Sequence, residues 1–328
     1  MKKIIFRADA KPSIGIGDLT SLINLSEYLH KDKWEIFFLI RNYKAGVDLA
    51  KKRGIQNLII IDSDLSIENE IIYINNFIED NQLDYIFFEI TERKLSEYSN
   101  ISKDIKKIAV NFDGDIFQDL DLVINWDIEA KNYYQIEDYP NTKFLLGSEY
   151  VILPKEFYTK STKDRIFNNP PKQILIAMGG ADEFDFTGKI IDIIIKNQLN
   201  IELNIIIGSG YEFRIQLEDR LSNSNFKYAI KQNIVNMLNE YLSCDIAIGA
   251  GGLTSSELVA LHIPTILIAT YKHQEARCRY FDKQGLVKYL GLRQLLEIDL
   301  LNALSNPIYP KNKNIFKTKV IIDEIEKI

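Results

Sequence analysis

Short apolar runs alternate with amphipathic stretches through both halves of the chain. In the first half the runs are "KIIF" (3–6), "EIFFLI" (35–40), "NLIII" (57–61), "YIFFEI" (85–90), "KIAVNF" (107–112) and "LVINW" (122–126). Continuous apolar runs of this length suit strands buried on both faces, as in a parallel sheet covered by helices. Between them lie "LTSLINLSEYLHK", "AGVDLAKKRG" and "IENEIIYINNFIEDN", the last with Ile71, Ile74 and Ile78 at helical spacing. A polar stretch with three prolines, 147–172, interrupts the pattern. The alternation then restarts with "QILIAMGG" (173–180), "FTGKIIDIIIKNQ", "IELNIIIGSG", "NIVNMLNEYLSC", "DIAIGAGG", "TSSELVALHI" and "PTILIAT". The pattern predicts two Rossmann-like α/β domains, 1–148 and 173–313, joined by a linker over 149–172 and facing a central cleft. A final helix, 314–328, carries Ile321, Ile322 and Ile325 on one face.

In open parallel sheets ligands bind beyond the carboxyl ends of the strands, which directs attention to the glycine turns there. Gly15 and Gly17 follow the first strand and open a helix. Gly179 and Gly180, Gly208 and Gly210, and Gly249, Gly251 and Gly252 each follow a strand of the second half. The third turn continues Gly-Gly-Leu-Thr-Ser-Ser-Glu, so Thr254 and Ser255 stand at a helix start, where hydroxyls and amides can hold a phosphate. Glu257 falls in the first helical turn, where a carboxylate can accept two ribose hydroxyls or simply favour the helix dipole. None of these turns is a P-loop, and the first loop lacks the third glycine of the dinucleotide fingerprint.

Charge and composition narrow the partners. A net charge of −6 speaks against nucleic acid and against an anionic membrane face. Cys244 and Cys278, the only cysteines, form no metal or redox spacing, which points to a reducing cytoplasm. The N-terminal apolar run is too short for a signal peptide, and no run reaches a membrane span. No cofactor and no metal is expected: the histidines lie far apart, and the Asp113-x-Asp115 spacing reads as a polar loop.

Five segments carry a family resemblance: "FRADAKPSIGIG" (6–17), "LLGSEYVILPKEF" (145–157), "ILIAMGGADEFDFT" (174–187), "IAIGAGGLTSSELVALHIP" (246–264) and "HQEARCRYFDKQG" (273–285). The chain resembles the GT-B-fold UDP-sugar hydrolases of the pseudaminic acid pathway, grouped with the spore-coat polysaccharide protein SpsG. These are distant relatives of the lipid II–forming N-acetylglucosaminyltransferase. The resemblance implies that the second domain holds the nucleotide. Gly251, Gly252, Thr254 and Ser255 would take the diphosphate, Glu257 the ribose, and Gly179 and Gly180 the floor of the site, with Gly208 also on the nucleotide side. It also implies that the final helix crosses back to the first domain.

The first domain departs from the family. Where the family reads Gly-x-Gly-His with an Arg three residues on, this chain has Asp18 and Ser21; the family's Asn-Gln becomes His273-Gln274. Asp18 is either a base replacing the histidine or an N-cap of the helix it opens. His273 is either a base, with Asp18 orienting it across a closed cleft, or a helix-start residue. Arg7 and Asp9, after the first strand, either pair with each other or contact substrate. Glu89 and Glu92 are candidates for sugar hydroxyls, Gln274 for a substrate contact, and Gly15 and Gly17 for close approach of the loop to the sugar. His262 reads as packing and His30 as a solvated helix end. The expected activity is hydrolysis of a UDP-linked sugar in bacterial surface-glycan synthesis. The alternatives are sugar transfer to a soluble acceptor and nucleotide-sugar binding without turnover.

Overall fold

A computed structural model of the chain describes residues 1–11, 15–159, 165–208, 210–222, 224–232, 234, 236–310 and 315–328. The tip of the first glycine loop (12–14), part of the expected linker (160–164), Ser209 of the "IGSG" turn, positions 233 and 235 of the expected "NIVNML" helix, and 311–314 lie outside the described residues. Two compact units emerge: Met1–Lys155 together with Phe316–Ile328, and Glu156–Ile315.

Unit 1 runs β1 (Lys2–Ala8), α1 (Gly17–Ser26), β2 (Trp34–Arg41), α2 (Lys44–Lys52), β3 (Leu58–Ile61), α3 (Ile67–Asn81), β4 (Tyr85–Glu89), β5 (Lys106–Val110), β6 (Leu122–Asn125) and β7 (Lys143–Leu146). All seven strands are parallel, in the order β3-β2-β1-β4-β5-β6-β7. Successive residues of a strand face opposite sides, so each apolar run supplies both layers. Ile4, Phe6 and Phe87 join one core cluster, while Ile5, Ile86 and Phe88 join the other.

Unit 2 opens with a short helix, α4 (Glu156–Thr159). It continues as β8 (Gln173–Ala177), α5 (Phe186–Lys196), β9 (Glu202–Ile207), α6 (Arg214–Ser222), β10 (Lys227–Gln232), α7 (Leu238–Ser243), β11 (Ile246–Ala250), α8 (Leu253–Ala260), β12 (Thr265–Ala269), α9 (Lys272–Lys283), β13 (Lys288–Leu292) and α10 (Glu297–Ser305). Its six parallel strands are ordered β10-β9-β8-β11-β12-β13. The last helix, α11 (Thr318–Lys327), belongs to unit 1, where Ile321 and Ile325 are buried with Ile4, Phe6 and Leu22.

The proline-bearing stretch is not a bare tether. Ile152 is buried in unit 1, the Leu153 carbonyl accepts a hydrogen bond from Tyr28, and Phe157 joins Leu175 and Tyr241 in a core cluster of unit 2. The change of unit falls between Lys155 and Glu156.

Candidate functional site

In each sheet the strand order reverses once, between β1 and β4 in unit 1 and between β8 and β11 in unit 2. Loops that leave two such neighbouring strands diverge and open a crevice at their carboxyl ends. The candidate residues gather at these two places.

In unit 2 the crevice is a pocket of about 290 Å³, with Gly179, Gly180, Gly252, Thr254, Tyr271 and Gln274 among its walls. Gly179 has φ 95°, a conformation that favours glycine. Gly180 and Gly252 do not need glycine on that ground. A Cβ on Gly180 would meet nothing within 4 Å, and one on Gly252 only the Gln274 amide nitrogen at 3.9 Å. The bare backbone there leaves room for something other than this chain. Gly252 is also the N-cap of α8, whose Leu253 and Thr254 line the same pocket, so a helix N-terminus opens onto it. Gln274 fixes the opposite wall: its Oε1 accepts from the Thr270 amide (2.9 Å) and the Thr270 hydroxyl (3.1 Å). Asp182 also lines the pocket, but its carboxylate accepts from the Phe186 and Thr187 amides, the first two of α5, whose N-cap is Asp185.

Four expected nucleotide residues have other tasks. A Cβ on Gly251 would come within 2.4 Å of Cys278 Sγ and 2.9 Å of Gln274 Cβ, so this glycine lets the loop press on α9. Gly208 is needed because a Cβ would stand 2.0 Å from the Gly180 carbonyl oxygen; it backs the Gly180 turn. Ser255 is fully buried, and its hydroxyl returns to the Gly252 carbonyl at 2.6 Å. Glu257 is half-buried, and the buried Tyr241 hydroxyl donates to its Oε2 at 2.6 Å; desolvation raises the Glu257 pKa. His273, the second residue of α9, is exposed and stacks on Tyr271 with ring centroids 5.8 Å apart.

In unit 1 the Arg7 guanidinium is fully buried and pairs with Asp9, the first of the two arrangements the sequence left open. Its Nε donates to Glu70 (2.6 Å) and one terminal nitrogen to Asp9 (2.8 Å). Arg41 joins through a hydrogen bond to Glu70, and its amide donates to Asp9 at 2.8 Å. These guanidinium neighbours hold the Asp9 and Glu70 carboxyls below their usual range against the opposing effect of burial. Asp9 reaches a pocket of about 330 Å³ whose rim carries the Lys11–Glu92 ion pair.

Asp18 is not the N-cap of α1. Ile16 holds that position without a side-chain bond, and Asp18 sits one residue inside the helix. Its carboxylate instead spans to the loop after β4, accepting from the Thr91 amide (2.8 Å) and the Thr91 hydroxyl (2.7 Å). Burial raises its pKa, opposed by those two bonds. Glu89, at the end of β4, is buried beside it. Its Oε1 accepts from Asn111 at 2.8 Å and its Oε2 meets the Ser21 hydroxyl. Burial, then the nearby Asp18 charge, push its pKa well up. Gly15 and Lys11 exchange backbone hydrogen bonds, which pins the base of the loop ahead of α1; a Cβ on Gly15 or Gly17 would meet nothing within 4 Å. Asp18 and His273 lie in different units.

Sequence reasoning did not single out Thr91, Asn111, Glu70, Arg41, Tyr241 or Tyr271. Only Thr91 carried a usable signal, as a hydroxyl directly after the β4 run; the others act through partners distant in sequence.

Comparison with known proteins agrees with this architecture. Residues 174–325 match the model of the glycosyltransferase family 28 C-terminal domain. The chain is 24% identical over 314 residues to the uncharacterized protein MJ1062 of Methanocaldococcus jannaschii, covering 92% of this chain and 62% of that one. It is 26% identical over 237 residues to the spore coat polysaccharide biosynthesis protein SpsG of Bacillus subtilis, covering 68% and 67%. MurG of Acinetobacter baumannii superposes with a TM-score of 0.68 over all of both chains at 14% identity. Anabaena HepE, solved in complex with UDP, does so with a TM-score of 0.64 over all of both chains at 12% identity. Two parallel-sheet Rossmann-like units in one chain, superposing on MurG over its whole length, give this chain the GT-B fold, and its residues 174–325 are similar to the glycosyltransferase family 28 C-terminal domain.

Proposed function

We propose that the chain cleaves the sugar–diphosphate bond of a UDP-linked sugar, with unit 2 holding the nucleotide and Asp18 of unit 1 serving as the base. One observation carries the binding half: Gly180 and Gly252 leave empty space that no backbone angle or neighbour of this chain requires, beside the N-terminus of α8. A diphosphate suits such a place, because the first amides of a helix have no intrahelical partner and the positive end of the helix dipole lies there. Likeness to a UDP-bound structure and to SpsG supports the choice of nucleotide sugar and a role in surface polysaccharide synthesis.

In the chemical step a water oxygen bonds to the anomeric carbon, and the carbon–oxygen bond to the diphosphate breaks. The bonding pair leaves with UDP, and Asp18 takes the proton from water. Asp18 suits this role because both of its oxygens are already oriented by Thr91, while burial raises its basicity. The family 28 signature favours a second reading, transfer of the same sugar to an acceptor hydroxyl from the same donor site.

Incubation with a panel of UDP-sugars, followed by NMR for UDP release and for binding, tests both. Release without an acceptor supports hydrolysis; binding with release only on adding an acceptor supports transfer. Asp18→Asn is expected to slow release by about 10²–10⁴-fold, the usual contribution of a positioned base. Unchanged release in that variant would remove Asp18 from the chemistry. No binding of any UDP-sugar would end the proposal.

A further inference from the structure

Two glutamates of unit 1 are withdrawn from water, and their surroundings differ in kind. Glu70 is fully buried and meets two guanidinium groups, those of Arg7 and Arg41. Glu89 is equally withdrawn, 3% exposed, yet among the described residues no cation pairs with it. Its hydrogen-bond partners are the Asn111 amide and the Ser21 hydroxyl, both neutral. The ionisable group that acts on it is Asp18, an acid. A buried carboxylate without a cation, next to another carboxylate, is the costly arrangement of this site.

Counting protons decides how the cost is avoided. Ser21 Oγ lies 2.9 Å from the main-chain oxygen of Asp18, one turn back in α1, and in close contact with Glu89 Oε2. A main-chain oxygen can only accept. A serine hydroxyl has one proton to give. Two separate two-centre hydrogen bonds need two protons, and Ser21 supplies one of them. Asn111 gives its proton to the other carboxyl oxygen, Oε1. The missing proton belongs on Glu89.

We propose that Glu89 is a neutral carboxylic acid in the resting protein at neutral pH, donating to Ser21 Oγ, which in turn donates to the Asp18 main-chain oxygen. Glu89 is then a positioning residue. The relay fastens the first turn of α1 to the end of β4, while Thr91 holds the Asp18 carboxylate from the following loop. It also leaves Asp18 as the single negative charge of the cluster. This role deepens the assignment of Asp18 as base and rests on it, whereas the protonation state of Glu89 stands apart from any reaction.

The test uses the unliganded full chain with ¹³C-labelled glutamate and aspartate. The side-chain carboxyl carbons of Glu70, Glu89 and Asp18 are assigned by through-bond correlation to the backbone, so no variant is needed for assignment. At pH 7 the Glu89 carbon is expected at the position of a protonated acid and that of Glu70 at the position of a carboxylate. A Glu89 carbon at the carboxylate position at pH 7 overturns the proposal. Glu89→Gln gives a second readout, because glutamine copies the neutral acid: its amide nitrogen can donate to Ser21 while its oxygen accepts from Asn111. The Asp18 titration curves of wild type and Glu89→Gln are expected to superimpose below neutrality. A lower Asp18 midpoint in the variant would mean that a charge had been removed, and would also overturn the proposal. Neither reading uses turnover. An active Asp18→Asn would refute the catalytic assignment while leaving the Glu89 result intact.

Discussion

The buried carboxyls of unit 1 differ in charge behaviour because of what faces them. Asp9 and Glu70 face Arg7 and Arg41, and their pKa values fall. Asp18 is buried with no paired cation among the described residues, and burial raises its pKa against the two hydrogen bonds from Thr91. The two classes act on stability with opposite sign. For Asp9 and Glu70 the unfolded chain binds more protons than the native one between the lowered folded pKa values and the ordinary values near about 4. Their contribution is present above the ordinary value and disappears as pH falls through the folded ones. For Asp18 and Glu89 the native chain binds more protons between the ordinary and the raised values, so stability falls as pH rises through that window. Arg7→Met removes the guanidinium shared by Asp9 and Glu70 and keeps an apolar stem. Breaking a buried pair from one side costs about 3–5 kcal/mol, which urea unfolding at pH 7 should show. The acid-unfolding midpoint of this variant, followed by circular dichroism, should move to higher pH. Equal stability at pH 7 would show that the network adds nothing to unit 1.

Glycine makes the same distinction at the scale of elements. Gly251 lies in the turn between β11 and α8, pressed on α9, while Gly180 and Gly252 face the pocket. Gly251→Ala forces a methyl against Cys278 Sγ, and overpacking of this kind costs about 1–3 kcal/mol. Gly180→Ala meets no atom of the chain, so its thermal midpoint should stay near that of wild type while UDP affinity drops at least tenfold in a calorimetric titration. Loss of stability without loss of affinity in Gly180→Ala would move the binding site elsewhere. The apolar runs made most of the inner strands legible, because strands covered on both faces must be apolar along their length. Three strands escaped that reading. β10, at the edge of its sheet, reads "KYAIKQ" with its first three residues exposed; β7 and β13, also edge strands, begin at an exposed lysine. The helix α6 escaped as well, since only Leu217 and Leu221 of "RIQLEDRLS" are buried. In the site, the glycines announced the turns, but their spacing could not separate a glycine that serves packing from one that leaves space. Asp18 left cap and base open as alternatives for a similar reason: its partner, Thr91, stands 73 residues later and meets it only because β1 and β4 are neighbours in the sheet.

At the scale of the whole molecule, unit 1 is built from both ends of the chain. The polypeptide leaves it at Lys155, forms unit 2, and returns at Phe316. The return is tied by the Lys317 amide, which donates to the Glu149 carbonyl at 2.6 Å, and by Ile321 and Ile325, both fully out of water. Those isoleucines share a core cluster with Leu19, Leu22 and Ile23 of α1, the helix whose first turn carries Asp18. The core beneath the candidate base is therefore complete only once the second unit has been traversed. Ile321→Ala should cost about 2–5 kcal/mol, the range for emptying a buried isoleucine site. The loss should fall on unit 1: hydrogen exchange of amides in β1 and α1 should speed up in step with the lost stability, since their protection rests on that cluster. Leu217→Ala, which opens a comparable cavity in the core of unit 2, is the control and should leave exchange in β1 and α1 near its wild-type rate. Unchanged exchange in β1 and α1 of Ile321→Ala would mean that α11 covers unit 1 without holding it together, and that the candidate base is supported by the first 155 residues alone.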